Sequence, residues 1–172
     1  MTVLRNGVPQ PNEWVRVADD ATLPEGAKVI VSLERWRNEH EGLRQRNAAV
    51  GVSLKSDQSP LLLAEDLHHL SLVALEFPKF TDGRAFSYAR VLRDRLSYRG
   101  EIRAFGQVLR DQYLFMLRCG IDTIEPPAEK RVEGYAEALN EFSVFYQPAG
   151  DQRETALHLR HGLPRVAESA AA

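Results

Sequence analysis

The sequence has few of the features that identify a function directly. It holds a single cysteine, Cys119, which excludes an internal disulfide and cannot by itself form a structural zinc or iron–sulfur site. It contains no glycine-rich phosphate loop, dinucleotide fingerprint, nucleophile elbow or paired thiol. No apolar run approaches about eighteen residues, and the start lacks the order of a signal peptide. We therefore expect a cytoplasmic protein without a membrane, cofactor or metal requirement.

The composition is that of an ordinary soluble domain. The 172 residues carry a net charge of −2, with 44% hydrophobic and 27% charged residues. So small a net charge predicts no general affinity for nucleic acid. The length suffices for one hydrophobic core. We expect a β-hairpin and linker at residues 1–23, a core domain at 24–150 and a mobile tail at 151–172.

Apolar runs alternate with helical patterns along the chain. The strand candidates are residues 28–33, 49–54, 70–77, 102–105, a short run ending at 124, and 143–146. This rhythm predicts an α/β fold with a mostly parallel sheet of about six strands and flanking helices. We favour an open doubly wound sheet over the alternative, an incomplete βα barrel. Val3–Arg5 and Trp14–Val17 are predicted to pair as the N-terminal hairpin, with an irregular link at Pro9 and Pro11.

Helical patterns separate these runs. They begin near Glu34, cover 84–98 and 108–118, and extend from about 129 to 142. Gly100 and Gly120 are predicted to end the second and third of these helices. Cys119 lies just before Gly120, which indicates a small structural thiol at a helix end.

Polar side chains concentrate in two loops that directly follow predicted strands. The first loop ends with Asp82-Gly83-Arg84, a turn signal, and the second begins at Gly106-Gln107. Neighbouring parallel strands end at the same side of a sheet, where ligands bind and where helix N-termini favour anions. We predict a ligand site there, without an assigned catalytic residue. Its residues are Lys79, Asp82, Arg84, Gln107, Arg110, Asp111 and Gln112.

Arg84 and Arg110 lie at loop-to-helix junctions and allow two interpretations. Both could hold one sulfate, sulfite or phosphate-bearing ligand, oriented by Asp82 and Asp111. Alternatively, each arginine pairs with its neighbouring aspartate as a structural latch. Glu76 and Asp82 could also serve as paired carboxylates in acid/base chemistry. Most of the other arginines between positions 84 and 110 are interpreted as solvated helix faces.

An ordered pattern of residues runs through the central third of the chain. It reads F-x-D-G-R-x-F-S-x-A-R-x-L-R from Phe80, Y-R-G-E-x-R-A-x-G from Tyr98, L-R-D-Q from Leu109 and R-C-G-x-D from Arg118. This pattern resembles the bacterial domain-of-unknown-function family 934. The sequence departs from the family at Ser97, where a glycine before the aromatic residue is commoner.

The resemblance implies an oxidoreductase-associated protein that is encoded beside the assimilatory sulfite reductase haemoprotein. Two function classes follow. The first is a non-catalytic accessory protein of sulfate and sulfite reduction, with the sulfite reductase as its partner. The second is a small enzyme or oxyanion-binding domain that uses the predicted Arg/Asp site. A flat apolar patch near Trp14 or Trp36 would favour the first, and a pocket lined by the predicted site residues would favour the second.

Overall fold

The computed structural model describes residues 2–127, 132–151 and 153–161. Within these ranges the chain forms eight strands and five α-helices. The strands are β1 (Thr2–Arg5), β2 (Val8–Pro11), β3 (Trp14–Arg16), β4 (Lys28–Ser32), β5 (Val50–Leu54), β6 (Leu72–Phe77), β7 (Glu101–Gly106) and β8 (Thr123–Ile124). The helices are α1 (Leu33–Arg44), α2 (Arg84–Arg90), α3 (Arg110–Arg118), α4 (Glu133–Ala138) and α5 (Ala156–His161). Short 3-10 turns cover Pro60–Leu63 and Leu67–His69, and a π turn covers Val91–Arg95.

All eight strands belong to one mixed sheet in the order β2-β1-β8-β7-β6-β5-β4-β3. From β3 to β8 the neighbours are parallel and follow the order of the chain, whereas β1 is antiparallel to both β2 and β8. The predicted α/β class is confirmed. The doubly wound arrangement is wrong, because strand order in such a sheet reverses at a switch point and this order does not. The sheet instead curls into a half-barrel, close to the alternative prediction, and has more strands than the six expected.

The two edges of this curled sheet are successive pieces of the same chain. β2 is antiparallel to β1, and β1 is antiparallel to β8, so β2 has the direction of the parallel strands. β3 is one of those parallel strands and therefore runs in the same direction as β2. Only Asn12 and Glu13 separate them, so the Cα atoms of Pro11 and Trp14 are at most about 11 Å apart. Strands β2 and β3 are thus two halves of one bent segment, which pairs first with β1 and then with β4.

The N-terminal hairpin differs from the prediction. Asn6 and Gly7 both have positive φ, 51° and 78°, and Arg5 pairs with Val8 across a two-residue loop of the kind that Asn-Gly favours. The hairpin is therefore β1–β2, and Trp14–Arg16 joins the opposite edge of the sheet. The two prolines of β2 are tolerated because this edge strand is exposed along its whole length.

The two faces of the sheet bury different side chains. Alternate residues of each strand point to opposite faces. One face packs against the helices and carries most of the hydrophobic core, including Trp36 and Tyr113. The other face, which we call the inner face, has a smaller apolar cluster of Ile30, Leu72 and Ala74, against which Trp14 and Phe105 pack. The inner face also carries polar and charged side chains, among them Arg103.

The helices follow the predicted order, with differences at their ends. The helix that begins at Arg84 passes into the π turn and ends at Ser97, whose φ of 52° takes the place expected for Gly100. Gly100 serves another purpose, since a Cβ there would clash with the Tyr98 hydroxyl, which donates to the Leu70 carbonyl at 3.0 Å. Helix α3 and Gly120, with a φ of 94°, agree with the prediction.

The last predicted elements are only partly present. Residues 143–146 do not form a strand, and Phe145 makes only an isolated parallel bridge with Thr155. Helix α4 is shorter than the predicted helix over 129–142, of which residues 129–131 lie outside the described residues. In the predicted tail, Ala156–His161 is helical, and residues 152 and 162–172 lie outside the described residues.

Candidate functional site

The two predicted loops meet at the carboxyl edge of the sheet. Strands β6 and β7 are direct neighbours, and Glu76 is paired with Phe105 at their ends. The backbone N–H of Gln107 donates to the Phe77 carbonyl at 2.7 Å. The side-chain amide of Gln112 donates to the Phe80 carbonyl at 3.4 Å, which connects the first turn of α3 to the first loop. Elements far apart in sequence thus place the predicted polar groups beside one another.

Arg84 is held by groups from two of the loops at this edge. Its guanidinium donates to Asp82 at 2.6 and 3.0 Å and to the Ser56 hydroxyl at 3.0 Å. The side-chain hydrogen bond from Arg84 lowers the pKa of Asp82 well below its usual range and outweighs the opposite effect of burial. The pair stays ionised at neutral pH, and its stabilising effect is lost only as the pH falls through this lowered pKa. This geometry agrees with the interpretation in which Arg84 pairs with its neighbouring aspartate as a structural latch.

Arg110 is held differently from the expectation. Its Nε donates to the Gly134 carbonyl at 2.6 Å, and its Nη2 lies 2.8 Å from Glu141 and 3.9 Å from Glu137. Among the described residues its ion pairs are with these two glutamates rather than with Asp111. Helix α4 and the turn after it therefore anchor the start of α3. Asp111, Gln107 and Lys79 are exposed at the same edge.

The inner face holds a buried charged network that the sequence interpretation missed. Arg103, only 2% exposed, donates to Glu101 at 2.7 Å, to Thr123 at 3.2 Å and to Asn12 at 2.8 Å. Its Nη1 lies 3.6 Å from Glu125. The interpretation of most central arginines as solvated helix faces does not extend to Arg103, whose strand position points it at the inner face.

A second arginine reaches across the inner face. Arg16 of β3 donates to Glu125 at 3.3 Å, although five strand pairings separate β3 from β8. Its guanidinium also lies 4.1 Å from the centre of the Phe105 ring, within the range of a cation–π interaction. These contacts tie the edge strand β3 to β7 and to the end of β8 across the inner face. An available sequence signal was the alternation Glu101, Arg103, Phe105, which places three polar or aromatic side chains on one face of a buried strand.

Cys119 is a half-buried thiol at the end of α3. Burial raises its pKa, and the nearby Arg90 and Arg118 only partly oppose that shift. The side chain is consequently a neutral thiol at pH 7 and a poor nucleophile.

We predict that Cys119→Ala keeps function and lowers the free energy of unfolding by about 1 kcal/mol, as is usual for a small change in the core. Urea denaturation and genetic complementation measure the two effects. Loss of complementation by a stably folded Cys119→Ala protein would show that the thiol has a chemical role.

The fold is that of an α/β protein with a curled, mixed sheet, and Arg84 and Arg110 lie at the carboxyl edge of its parallel strands. The family described as bacterial protein of unknown function (DUF934) matches residues 51–157, more than half of the chain, and the chain belongs to this family. The match includes both loops of the carboxyl edge and Arg103. No curated protein and no solved structure matches the chain.

Two further observations concern the described residues alone. None of their helices is long and apolar enough to cross a membrane. No group of three or more His, Cys, Asp or Glu side chains among them is arranged to hold a metal ion.

Proposed function

We propose that this protein is an accessory protein of assimilatory sulfite reduction that acts together with the sulfite reductase. The link to that enzyme comes from the resemblance described above. The observation that favours a docking role is an exposed aromatic pair, Phe115 of α3 and Phe142. The two rings lie 6.4 Å apart, and the residues are 47% and 50% exposed. Adjacent exposed aromatic rings are typical of protein interfaces.

The position of this aromatic pair differs from the surface expected near Trp14 or Trp36. Trp36 is buried in the core and donates through Nε1 to Asp66 at 2.9 Å. Trp14 is half-buried and packs on the inner face. Phe142 lies beside Phe145, at a ring distance of 6.5 Å, so the exposed pair is supported by a buried aromatic side chain.

Deletion of the gene tests this function. We expect the deletion strain to grow poorly on sulfate and sulfite and normally on cysteine. The wild-type gene should restore growth, whereas Phe115→Ser combined with Phe142→Ser should not, because polar side chains weaken an apolar contact. The matched control is Phe80→Ser, since Phe80 is 55% exposed in a different loop.

The expected biochemical counterpart is co-purification of the wild-type protein, and not of the double variant, with the reductase. Normal growth of the deletion strain on both sulfate and sulfite, with unchanged reductase activity in extracts, would contradict the proposal.

A second candidate function is oxyanion binding at the carboxyl edge of the sheet, which includes the possibility of a small enzyme. It is supported by the guanidinium of Arg84, which is 53% exposed and already fixed by Asp82 and Ser56. Asp82 and Ser56 occupy Nε and Nη2, so Nη1 remains to donate to a tetrahedral oxyanion, and the fixed guanidinium loses little freedom when it does so. The neighbouring loop brings Arg110 and Gln112 to the same edge.

Mutation separates this candidate from a purely structural latch. If the arginines bind a ligand, Arg84→Ala and Arg110→Ala should each abolish complementation while the melting temperature changes little. Arg95→Ala is the control, because Arg95 is exposed and outside this edge. If both variants unfold, or if both complement fully, the arginines do not form a shared anion site.

A further inference from the structure

A polar pocket lies at the end of the sheet opposite the carboxyl edge. Arg99 comes just before β7, Gly120-Ile121-Asp122 just before β8, and Arg5 ends the antiparallel β1, so these residues gather at the amino ends of the parallel strands. Between them is a cavity of about 740 Å³, which is within the size range of small-molecule sites. We call it the amino-end pocket, and its charged lining comprises Arg5, Arg93, Arg99, Arg118 and Arg153 with Asp94, Asp122 and Asp151.

The lining carries an excess of positive charge. Five arginines face three aspartates, and the carboxylates are already engaged. Asp122 pairs with Arg93 at 2.6 Å, and Asp94 pairs at 2.6 Å with an arginine outside the lining. Asp151 is shared by two arginines, at 3.1 and 3.6 Å. Arg99 is exposed and makes no ion pair or side-chain hydrogen bond to any described residue.

Parts of this lining are held rigidly. The Arg93 guanidinium donates to the carbonyls of Gly120, Tyr98 and Gly100 at 3.0, 2.6 and 2.9 Å. Arg118 lies over the Phe145 ring, 3.9 Å from its centre, and donates to the Gln147 carbonyl at 2.7 Å. Guanidinium groups fixed before binding lose little conformational freedom when an anion arrives.

The pocket also has apolar surface. Leu114, Leu117 and Ile121 line it beside the arginines. This combination suits a ligand that has both an organic part and a tetrahedral oxyanion, because arginine binds phosphate and sulfate groups with paired hydrogen bonds. We propose that the amino-end pocket binds a small organic phosphate or sulfate ester, with its oxyanion between Arg99 and the Arg118–Arg153 pair. This inference does not depend on either function proposed above, because the carboxyl edge lies at the other end of the strands.

Calorimetric titration of the purified full chain with phenyl phosphate and with phenyl sulfate tests the proposal. Phenol serves as the uncharged control and sodium sulfate as the inorganic one. We expect binding of at least one ester, weaker binding of sulfate and none of phenol. Arg99→Ala and Arg153→Ala should each weaken ester binding at least tenfold, and the affinity should fall as salt is added.

Two control variants locate the site. Arg95→Ala removes an exposed arginine that does not line the pocket, and Arg84→Ala removes one at the carboxyl edge, so both should bind the ester as the wild type does. The proposal is overturned if neither ester binds at millimolar concentration, if Arg99→Ala and Arg153→Ala both bind normally, or if Arg84→Ala removes binding. Because Arg99 and Arg153 are exposed, both variants are expected to keep the wild-type circular dichroism spectrum.

Discussion

Replacement of Arg103 by methionine is expected to lower the free energy of unfolding by about 3–5 kcal/mol, the range for removal of one partner from a buried ion pair. Arg103 is almost completely buried and lies 2.7 Å from Glu101 and 3.6 Å from Glu125. Methionine retains much of the side-chain volume but removes the charge. Both carboxylates would then lack their central cation, in a place where water replaces it poorly.

The Arg103→Met substitution should also weaken the junction between the two edges of the sheet. Arg103 also donates to the side chain of Asn12 at 2.8 Å, and Asn12 lies in the two-residue link between β2 and β3. The Asn12 side chain accepts a further hydrogen bond from the backbone of Trp14 at 3.1 Å. One guanidinium therefore fixes both the polar inner face and the segment that connects the two edges of the sheet.

Urea denaturation of three variants measures this effect. Arg95→Met, an exposed change of the same chemistry, should shift the unfolding free energy by less than about 0.5 kcal/mol. Adding Glu101→Gln to Arg103→Met should recover part of the loss, because it removes a carboxylate that has lost the closer of its two arginine partners, Arg103, and keeps only Arg5 at 3.4 Å. An Arg103→Met protein as stable as Arg95→Met would show that the network contributes nothing to folding.

Much of the central architecture could be predicted from local patterns. The runs that became β4 to β7 are rich in β-branched and aliphatic residues and are bounded by turn signals, so hydrophobicity and spacing sufficed to locate them. Helix α3 carries its own apolar stripe and ends at a glycine with positive φ. Alternation of strands and helices then implied parallel pairing, which β4 to β7 show.

The strand order depended on contacts that local patterns do not encode. Trp14–Arg16 has the same alternating pattern whether it pairs with β1 or with β4, and only packing of Trp14 against the inner face distinguishes the two. Pro9 and Pro11 argued against a strand, but an exposed edge strand tolerates prolines that an interior strand does not. The curl of the sheet follows from the two-residue link between β2 and β3. The link could be recognised only once β3 was known to pair with β4 rather than with β1.

In the candidate site, too, some features could be predicted from local patterns and others depended on distant contacts. The location of Arg84 and Arg110 at a common edge followed from the direction of parallel strands, and Asp82 as the partner of Arg84 followed from its position two residues away. The partners of Arg110 did not follow, because Gly134 and Glu141 come from a segment more than twenty residues later. Arg103 was missed because composition alone does not distinguish a buried arginine from a solvated one.

Gly106→Ala is expected to cost about 2–4 kcal/mol and to disturb the carboxyl edge, through backbone strain and a steric clash together. Gly106 has a φ of 95°, and a Cβ there would lie 2.5 Å from the Phe77 carbonyl oxygen and 3.2 Å from its carbon. These are backbone atoms of the neighbouring strand, so no side chain can rotate away to make room. The same carbonyl accepts the 2.7 Å hydrogen bond from Gln107, which sets the direction of the loop leading to Arg110.

Gly26→Ala separates the two contributions. Gly26 also has positive φ, 67°, but nothing lies within 4 Å of the position that its Cβ would occupy. That variant should therefore show only the conformational cost, about 1 kcal/mol. Urea denaturation of both proteins, with complementation as the second measurement, gives the comparison. We expect Gly106→Ala to lose clearly more stability than Gly26→Ala; equal losses would mean that close approach of β6 does not require a glycine at the end of β7.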